Sequence, residues 1–369
     1  MDLSIPYYDD NSRISNSNLG QFLKKGPRYL KDMLEGNAEG LKASYLDKGT
    51  MIHMYILQPE EFWAHYRILD FETPSSKQQQ LFADKLVGTV EIDPDLALIK
   101  AYSDAYSTKG KSEEKILSEA KEMAKKLENY IEYLKTERQT ELKSISFADL
   151  NMLKTIKQNI QDHKKANELL YKQPQTCEQN NEFHINWEFP KAYENYHLSC
   201  KSLLDRLMID HTLKKITLVD LKTTADVWNF EHSIEEYDYR RQLAYYWLAI
   251  HWYFKYELNI DIDEYTKETY IIAIQSNNRY EVRVINFTPE CIEERLTIIS
   301  ETIRRICWHK QNDLWDHSRE YYDGDGSEVY DGNDSISILY CIYQSIMLRI
   351  YFKYEDGMII YISFISIVT

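Results

Sequence analysis

The sequence predicts an α/β fold: a central mixed β-sheet flanked by helices, with a helical insertion. Three observations carry this. Residues 182–189, 197–209 and 215–223 are three short runs that alternate apolar and polar positions as strands do. A long helix at about 235–256 follows them, then strands at 268–274 and 280–287 and a helix at about 289–311. Residues 110–172 form a long charged region with helical periodicity.

Each element has its own warrant. Residues 1–70 read as largely helical. Ser17 is placed to cap a helix from Asn18, with Leu19, Phe22, Leu23, Tyr29, Leu30 and Leu34 recurring at helical spacing across an interruption at Gly26-Pro27. A second helix is expected from Thr50, after Gly49, through Met54 and Leu57 to Pro59. Residues 71–108 give mixed signals. In the charged region, Leu117, Ala120, Met123, Ala124, Leu127 and Tyr130-Ile131 form an apolar stripe, with a break near Ser144-Ile145-Ser146. Its plain reading is a helical insertion or arm at about 110–172 within a single domain of residues 1–330. Residues 331–369 are an apolar tail, in which Asp356-Gly357 between apolar runs suits a hairpin. No function is assigned to this tail, and its composition also fits an aggregation-prone extension.

The chain has 369 residues, 43% hydrophobic and 28% charged, enough for a sizeable core. Its formal net charge of −15 argues against a protein that simply coats DNA, which would be basic. It leaves room for an enzyme with a local basic channel, because acidic clusters bind divalent metals that bridge to phosphate. The five cysteines (Cys177, Cys200, Cys291, Cys307 and Cys341) include no C-x-x-C pair, which weakens zinc and iron–sulfur readings. Their odd, scattered count points to a reducing cytoplasm. The N-terminus has neither a basic nor an apolar leader region, so no signal peptide is expected. No run of about eighteen apolar residues predicts a membrane span.

The chemistry concentrates between residues 182 and 246. Side chains of a strand alternate faces, so in Lys215-Ile216-Thr217-Leu218-Val219-Asp220-Leu221-Lys222 the residues Asp220 and Lys222 share a face with Ile216 and Leu218. A turn centred between Thr212 and Leu213 puts Asp205 directly opposite Asp220, where Cβ atoms stand about 4.5–5.5 Å apart. Two facing carboxylates repel unless a proton or cation intervenes, and a divalent metal resolves the conflict. Hard oxygen ligands with open positions suit Mg²⁺ or Mn²⁺. The bland alternative is a surface ion pair between Asp220 and Lys222 at a strand end. Glu182 falls on the polar face of its strand and has weight only in company. Tyr239, Gln242 and Tyr246 form one stripe of the following helix, beside Arg240 and Arg241. Ordinary packing accounts for the tyrosines; a glutamine on that stripe is harder to explain as core.

Taken with two earlier segments, this order of motifs resembles the RecE-type exonucleases, relatives of lambda exonuclease in the PD-(D/E)XK superfamily. The resemblance covers about residues 10–330. It opens with Ile14-Ser15-Asn16-Ser17-Asn18-Leu19 and Gly26-Pro27-Arg28-Tyr29. It continues with Gly49-Thr50-Met51-Ile52-His53 and Leu57-Gln58-Pro59-Glu60-Glu61-Phe62, then Glu182, Asp205, Asp220-Leu221-Lys222, and Gln242 to Tyr246.

The resemblance implies a phage-like, Mg²⁺-dependent (or Mn²⁺-dependent) deoxyribonuclease with a restriction-endonuclease-like core. His53, Asp205, Asp220 and the Leu221 carbonyl would hold metal. Glu182 would be an outer or second-metal ligand, and Lys222 would orient or activate water. Gln242, Tyr246 and Arg241 would position the site or the DNA. The implied substrate is a duplex DNA end, resected 5′→3′ during recombination or replication. The implied partners are a single-strand annealing recombinase and further copies of the chain. The charged segment 110–143 and the apolar tail depart from the family pattern. Two other readings remain: a RecB-like nuclease of the CRISPR-associated kind, which often carries a four-cysteine iron–sulfur site, and a catalytically silent DNA-end-binding protein.

Overall fold

The structure is a computed structural model. It describes residues 5–38, 44–69, 71, 73–89, 93–137, 142–193, 196–277, 279–327, 350–355 and 358–363. Two compact units form: Tyr45–Asp162, and Met1–Ser44 together with His163–Thr369.

The unit Tyr45–Asp162 is mainly helical. Pro59–His65 and Pro94–Ala105 each begin on a proline, whose missing N–H costs nothing in a first turn. Asp93 and Ser112 cap Pro94–Ala105 and Glu113–Lys126 through their side-chain oxygens. The helix Ser44–Leu57 starts a turn and a half before the expected Thr50 and runs straight through Gly49. The propensity penalty of one glycine, about 1 kcal/mol, is small beside the burial of Met51, Ile52, Ile56 and Leu57 on that helix. The charged region is several helices (Glu113–Lys126, Glu128–Glu137, Phe147–Asp162 and Lys164–Tyr171), not one. Ala120, Leu127 and Ile131 of the expected stripe enter a core with Phe82, Ala101, Tyr102 and Ile116. The break near Ser144 is a strand: β1 (Tyr66–Ile68) pairs in parallel with β2 (Lys143–Ile145).

The other unit is built on a mixed sheet of β3 (Cys177–Tyr193), β4 (Tyr196–Asp210), β5 (Lys215–Thr224), β6 (Thr266–Gln275) and β7 (Val282–Phe287). Their spatial order is β3-β4-β5-β6-β7, with β5 and β6 parallel and the other neighbours antiparallel. A parallel pair needs a long crossover. Here it carries Phe230–Glu236 and Tyr239–Tyr253. The single helix expected at 235–256 is thus two, parted at Asp238. Its left-handed backbone (φ 50°) stops the first helix, and its carboxylate caps the second at Arg241 N. The helix expected at 289–311 is likewise split, into Pro289–Glu293 and Leu296–Asn312.

β5 is buried along Ile216–Leu221, as a central parallel strand must be. Ile216 and Leu218 pack in one core with Leu207 and Ile209 of β4, Leu243 and Ile250 of the crossover helix, and Ile299 and Ile303 of Leu296–Asn312. Leu218→Ala in such a setting costs about 2–5 kcal/mol.

The first helix, Asn16–Leu34, is capped by Ser15 and not by Ser17. Ser15 Oγ accepts from Asn18 N, and Asn18 Oδ1 accepts from Ser15 N at 2.8 Å, a reciprocal capping box. The preceding residue decides the position. Ile14 N donates to Ser199 O and Ile14 O accepts from Lys201 N, so the chain is held extended beside β4 until Ser15. The interruption at Gly26-Pro27 is a kink, with Gly26 at φ 81°.

In the tail, β8 (Ile350–Glu355) and β9 (Met358–Ser363) pair antiparallel with Glu355 opposite Met358. The Asp356-Gly357 turn and residues 328–349 lie outside the described residues. Among the described residues, no helix is long and apolar enough to cross a membrane.

Candidate active site

The hairpin between β4 and β5 has the register its turn predicts. Asp210 faces Lys215, and the ladder runs through Ile209–Ile216 and Leu207–Leu218 to Arg206–Val219. Asp210 Oδ1 shapes the connection by accepting from Thr212 N and Leu213 N. The next step along this ladder is Asp205 and Asp220. Backbone pairing stops there, and a side chain takes its place: Asp205 Oδ2 accepts from Leu221 N at 2.6 Å.

On the other side of β4, Asn181 faces Arg206 and Phe183 faces Leu204. Glu182 therefore stands in register with Asp205, although its own backbone leaves the ladder with φ 47°. A left-handed glutamate inside a strand is a strained conformation of the kind found where a side chain must be aimed. Carboxylate oxygens of Glu182 and Asp205 come within 4.8 Å of one another. Glu182, Asp205 and Asp220 thus form one row across three adjacent strands.

Lys222 completes the row. Its Nζ lies 2.5 Å from Asp220 Oδ2, with Asp220 only 1% exposed and Lys222 17%. This excludes the surface ion pair that the D-x-K triplet alone allowed. Burial would lower the Lys222 pKa, but Asp220 and Asp205 hold it above its ordinary value, so the lysine stays charged. One cation does not neutralise three acids. Burial and the charges of Asp205 and Asp220 push the Glu182 carboxyl up to about 7. Burial also raises Asp205, against the pull of Lys222 and the Leu221 N–H.

The helix Tyr239–Tyr253 covers this end of the sheet. The Lys222 ammonium lies 5.1 Å from the Tyr239 ring centre. Gln242 Nε2 donates to Tyr246 Oη at 2.8 Å. That leaves the Tyr246 proton available to an anion, and burial together with Asp220 and Asp205 keeps the phenol protonated. The expected stripe of Tyr239, Gln242 and Tyr246 thus accompanies the carboxylate row. Arg241 is buried elsewhere on the helix, 3.8 Å from Asp238 and against Gly20, where an added Cβ would approach its guanidinium to 2.9 Å. His53 is half-buried on Ser44–Leu57, in the unit Tyr45–Asp162. The sequence reading passed over Lys201, four residues before Asp205 on the same face of β4. Its buried ammonium donates to the carbonyls of Tyr7 and Asp10, pinning the N-terminal segment along this face. The i, i+4 strand spacing to Asp205 was the available signal.

Glu182, pushed up by burial and by the neighbouring acids, and Asp205, whose carboxylate oxygen lies within 4.8 Å of it, could hold a cation. Among the described residues, Cys177, Cys200, Cys291 and Cys307 are free thiols.

No curated protein matches the chain. A solved structure from Eubacterium rectale, described as a “Putative exonuclease”, is similar at a TM-score of 0.45 and 13% identity, covering 91% of this chain and 99% of that one. Residues 193–322 match the model of a family described as a PDDEXK-like domain of unknown function. That segment holds β4, β5, the covering helix, β6 and β7, and with them Asp205, Asp220 and Lys222. The likeness to PDDEXK-like domains is thus one of this segment, which is about a third of the chain.

Proposed function

We propose that this protein is a metal-dependent DNA exonuclease that hydrolyses phosphodiester bonds at duplex ends, in the 5′→3′ direction. The observation that carries the reading is the in-register row of Glu182, Asp205 and Asp220 with Lys222 beside it. Direction, end preference, a single-strand annealing recombinase as partner and assembly into a homo-oligomer rest on the motif resemblance.

Asp205 and Asp220 would hold Mg²⁺ or Mn²⁺, with Glu182 as an outer or second-metal ligand. The Leu221 carbonyl and His53 are the further ligands the resemblance suggests. A bound divalent cation lowers the pKa of an attacking water and neutralises charge on the phosphate and leaving oxygen. The chain's own residues do the rest. Lys222 stays charged and orients a water or a phosphate oxygen. Tyr246, fixed by Gln242, offers a proton toward an anion. The low-dielectric wall of Ile216, Leu218 and Leu207 strengthens each of these interactions. Arg241 acts through position, by holding the start of the helix that carries Gln242 and Tyr246.

The deciding experiment is an assay of linear duplex and covalently closed circular DNA in Mg²⁺ and in EDTA. Linear DNA degraded only with metal, and circles spared, is the expected result. Full activity in chelator would sink the metal reading, and rapid cutting of circles would make the protein an endonuclease. Strands labelled at one or the other end report the polarity.

A further inference from the structure

From Lys222 a line of aromatic and basic groups leads to the surface. The Tyr239 ring, 5.1 Å from the Lys222 ammonium, is stacked on Phe230 at 5.8 Å and so held in place. Tyr237 follows at 5.7 Å from Tyr239, its ring tilted by 30°. Lys24 Nζ lies 5.7 Å from the Tyr237 ring centre. The left-handed turn at Asp238 ends one helix on Tyr237 and starts the next on Tyr239, which brings both rings together. Tyr237 remains 50% exposed.

Lys24 is an exposed lysine whose partners among the described residues are the Glu236 carbonyl, at 3.5 Å, and this ring. Its neighbour Lys25 sits 3.9 Å over the Tyr29 ring. Lys24 and Lys25 are thus partnered by aromatic rings and a backbone carbonyl, in a chain of net charge −15. Aromatic faces interleaved with cations, starting at a buried acid–lysine site, are the arrangement that takes an unpaired nucleic-acid strand. The rings stack on bases and the ammonium groups meet phosphates.

We propose that Tyr239, Tyr237 and Lys24 form a track for a single DNA strand running to the carboxylate row, with Tyr237 stacking on a base and Lys24 contacting a phosphate. The proposal rests on the nuclease reading of that row. Duplex DNA does not fit this role, because its base faces are covered by their neighbours.

The test measures binding of a short fluorescent single-stranded oligonucleotide by anisotropy, with Ca²⁺ replacing Mg²⁺, across a salt series. Tyr237→Ala should weaken binding about tenfold, while Tyr237→Phe, which keeps the ring face, should bind as the parent does. Lys24→Gln should reduce the slope of log affinity against log salt by about 0.7, and Lys24→Arg should restore it. Lys24 is exposed, so its variants test the track even if Tyr237→Ala fails to fold. Parental affinity and salt slope in both Tyr237→Ala and Lys24→Gln would overturn the track and leave the nuclease reading standing. A parent protein that binds no DNA of any form would remove both.

Discussion

The backbone N–H of Leu221 donates a 2.6 Å hydrogen bond to the Asp205 carboxylate, at the point where β4 and β5 cease to pair. A buried N–H must find an acceptor, and here the acceptor is also a candidate metal ligand. Asp205 therefore has two separable duties, one in the ladder and one in the acid row.

Asp205→Asn should separate them. Asparagine keeps an oxygen for the Leu221 N–H, so metal-free stability should stay within about 1 kcal/mol of the parent, whereas Asp205→Ala strands that donor and should cost about 1–3 kcal/mol. Both should lose metal binding and hydrolysis. Urea denaturation in EDTA beside a calorimetric Mn²⁺ titration checks this. Equal stability of the two variants would mean the hydrogen bond contributes nothing.

Glu182 should make metal-free stability depend on pH. Its folded pKa of about 7 lies above the ordinary 4.5. Between those values the folded protein keeps a proton that the unfolded chain has released. Stability should therefore fall as pH rises from 4.5 to 7, by about 2 kcal/mol. Glu182→Gln should flatten this dependence, and metal binding at pH 6 should release a proton. Denaturation midpoints at several pH values in EDTA measure the first effect. A Glu182→Gln profile identical to the parent's would refute it.

Lys222→Ala should keep metal binding and lose turnover, because the ammonium acts mainly on the transition state. It also leaves Asp220 buried without its cation, so the metal-free variant should be destabilised by about 2–4 kcal/mol and regain much of that with Mn²⁺. Single-turnover cleavage with and without saturating Mn²⁺ tests the role. Parental rates would reduce Lys222 to an ion-pair partner.

His53→Ala, by the resemblance, should weaken Mn²⁺ affinity and be partly rescued by excess metal. The same metal titration tests it, and unchanged affinity would remove His53 from the ligand set.

Ser15→Ala should destabilise the unit that carries the sheet by about 0.5–2 kcal/mol, through loss of the reciprocal cap on Asn16–Leu34. Ser17→Ala should have little effect. Thermal denaturation of the two variants discriminates them, and the reverse order would restore Ser17 as the cap.

The β4–β5 hairpin, the pairing direction of Asp205 and Asp220, and the shared face of Asp220 and Lys222 were determined by the sequence itself. A four-residue connection and a side-chain period of two leave one register that buries Leu207 against Leu218. The helical stripe with Gln242 and Tyr246 was legible for the same local reason. Tertiary structure alone decided the third acid. Continued without interruption from Tyr193 opposite Tyr196, the β3–β4 register would set Leu207 across from Glu182. A shift between Phe189 and Tyr193 moves the pairing by two residues and puts Asp205 there instead. No local pattern announces such a shift, because its return comes from contacts distant in sequence. The cap at Ser15 was hidden likewise, since it follows from Ile14 being held by β4, nearly two hundred residues further along the chain. Short-range periodicity fixes what a strand or helix presents; which strands then stand side by side, and so which charges must share one row, depends on long-range pairing that only the folded chain supplies.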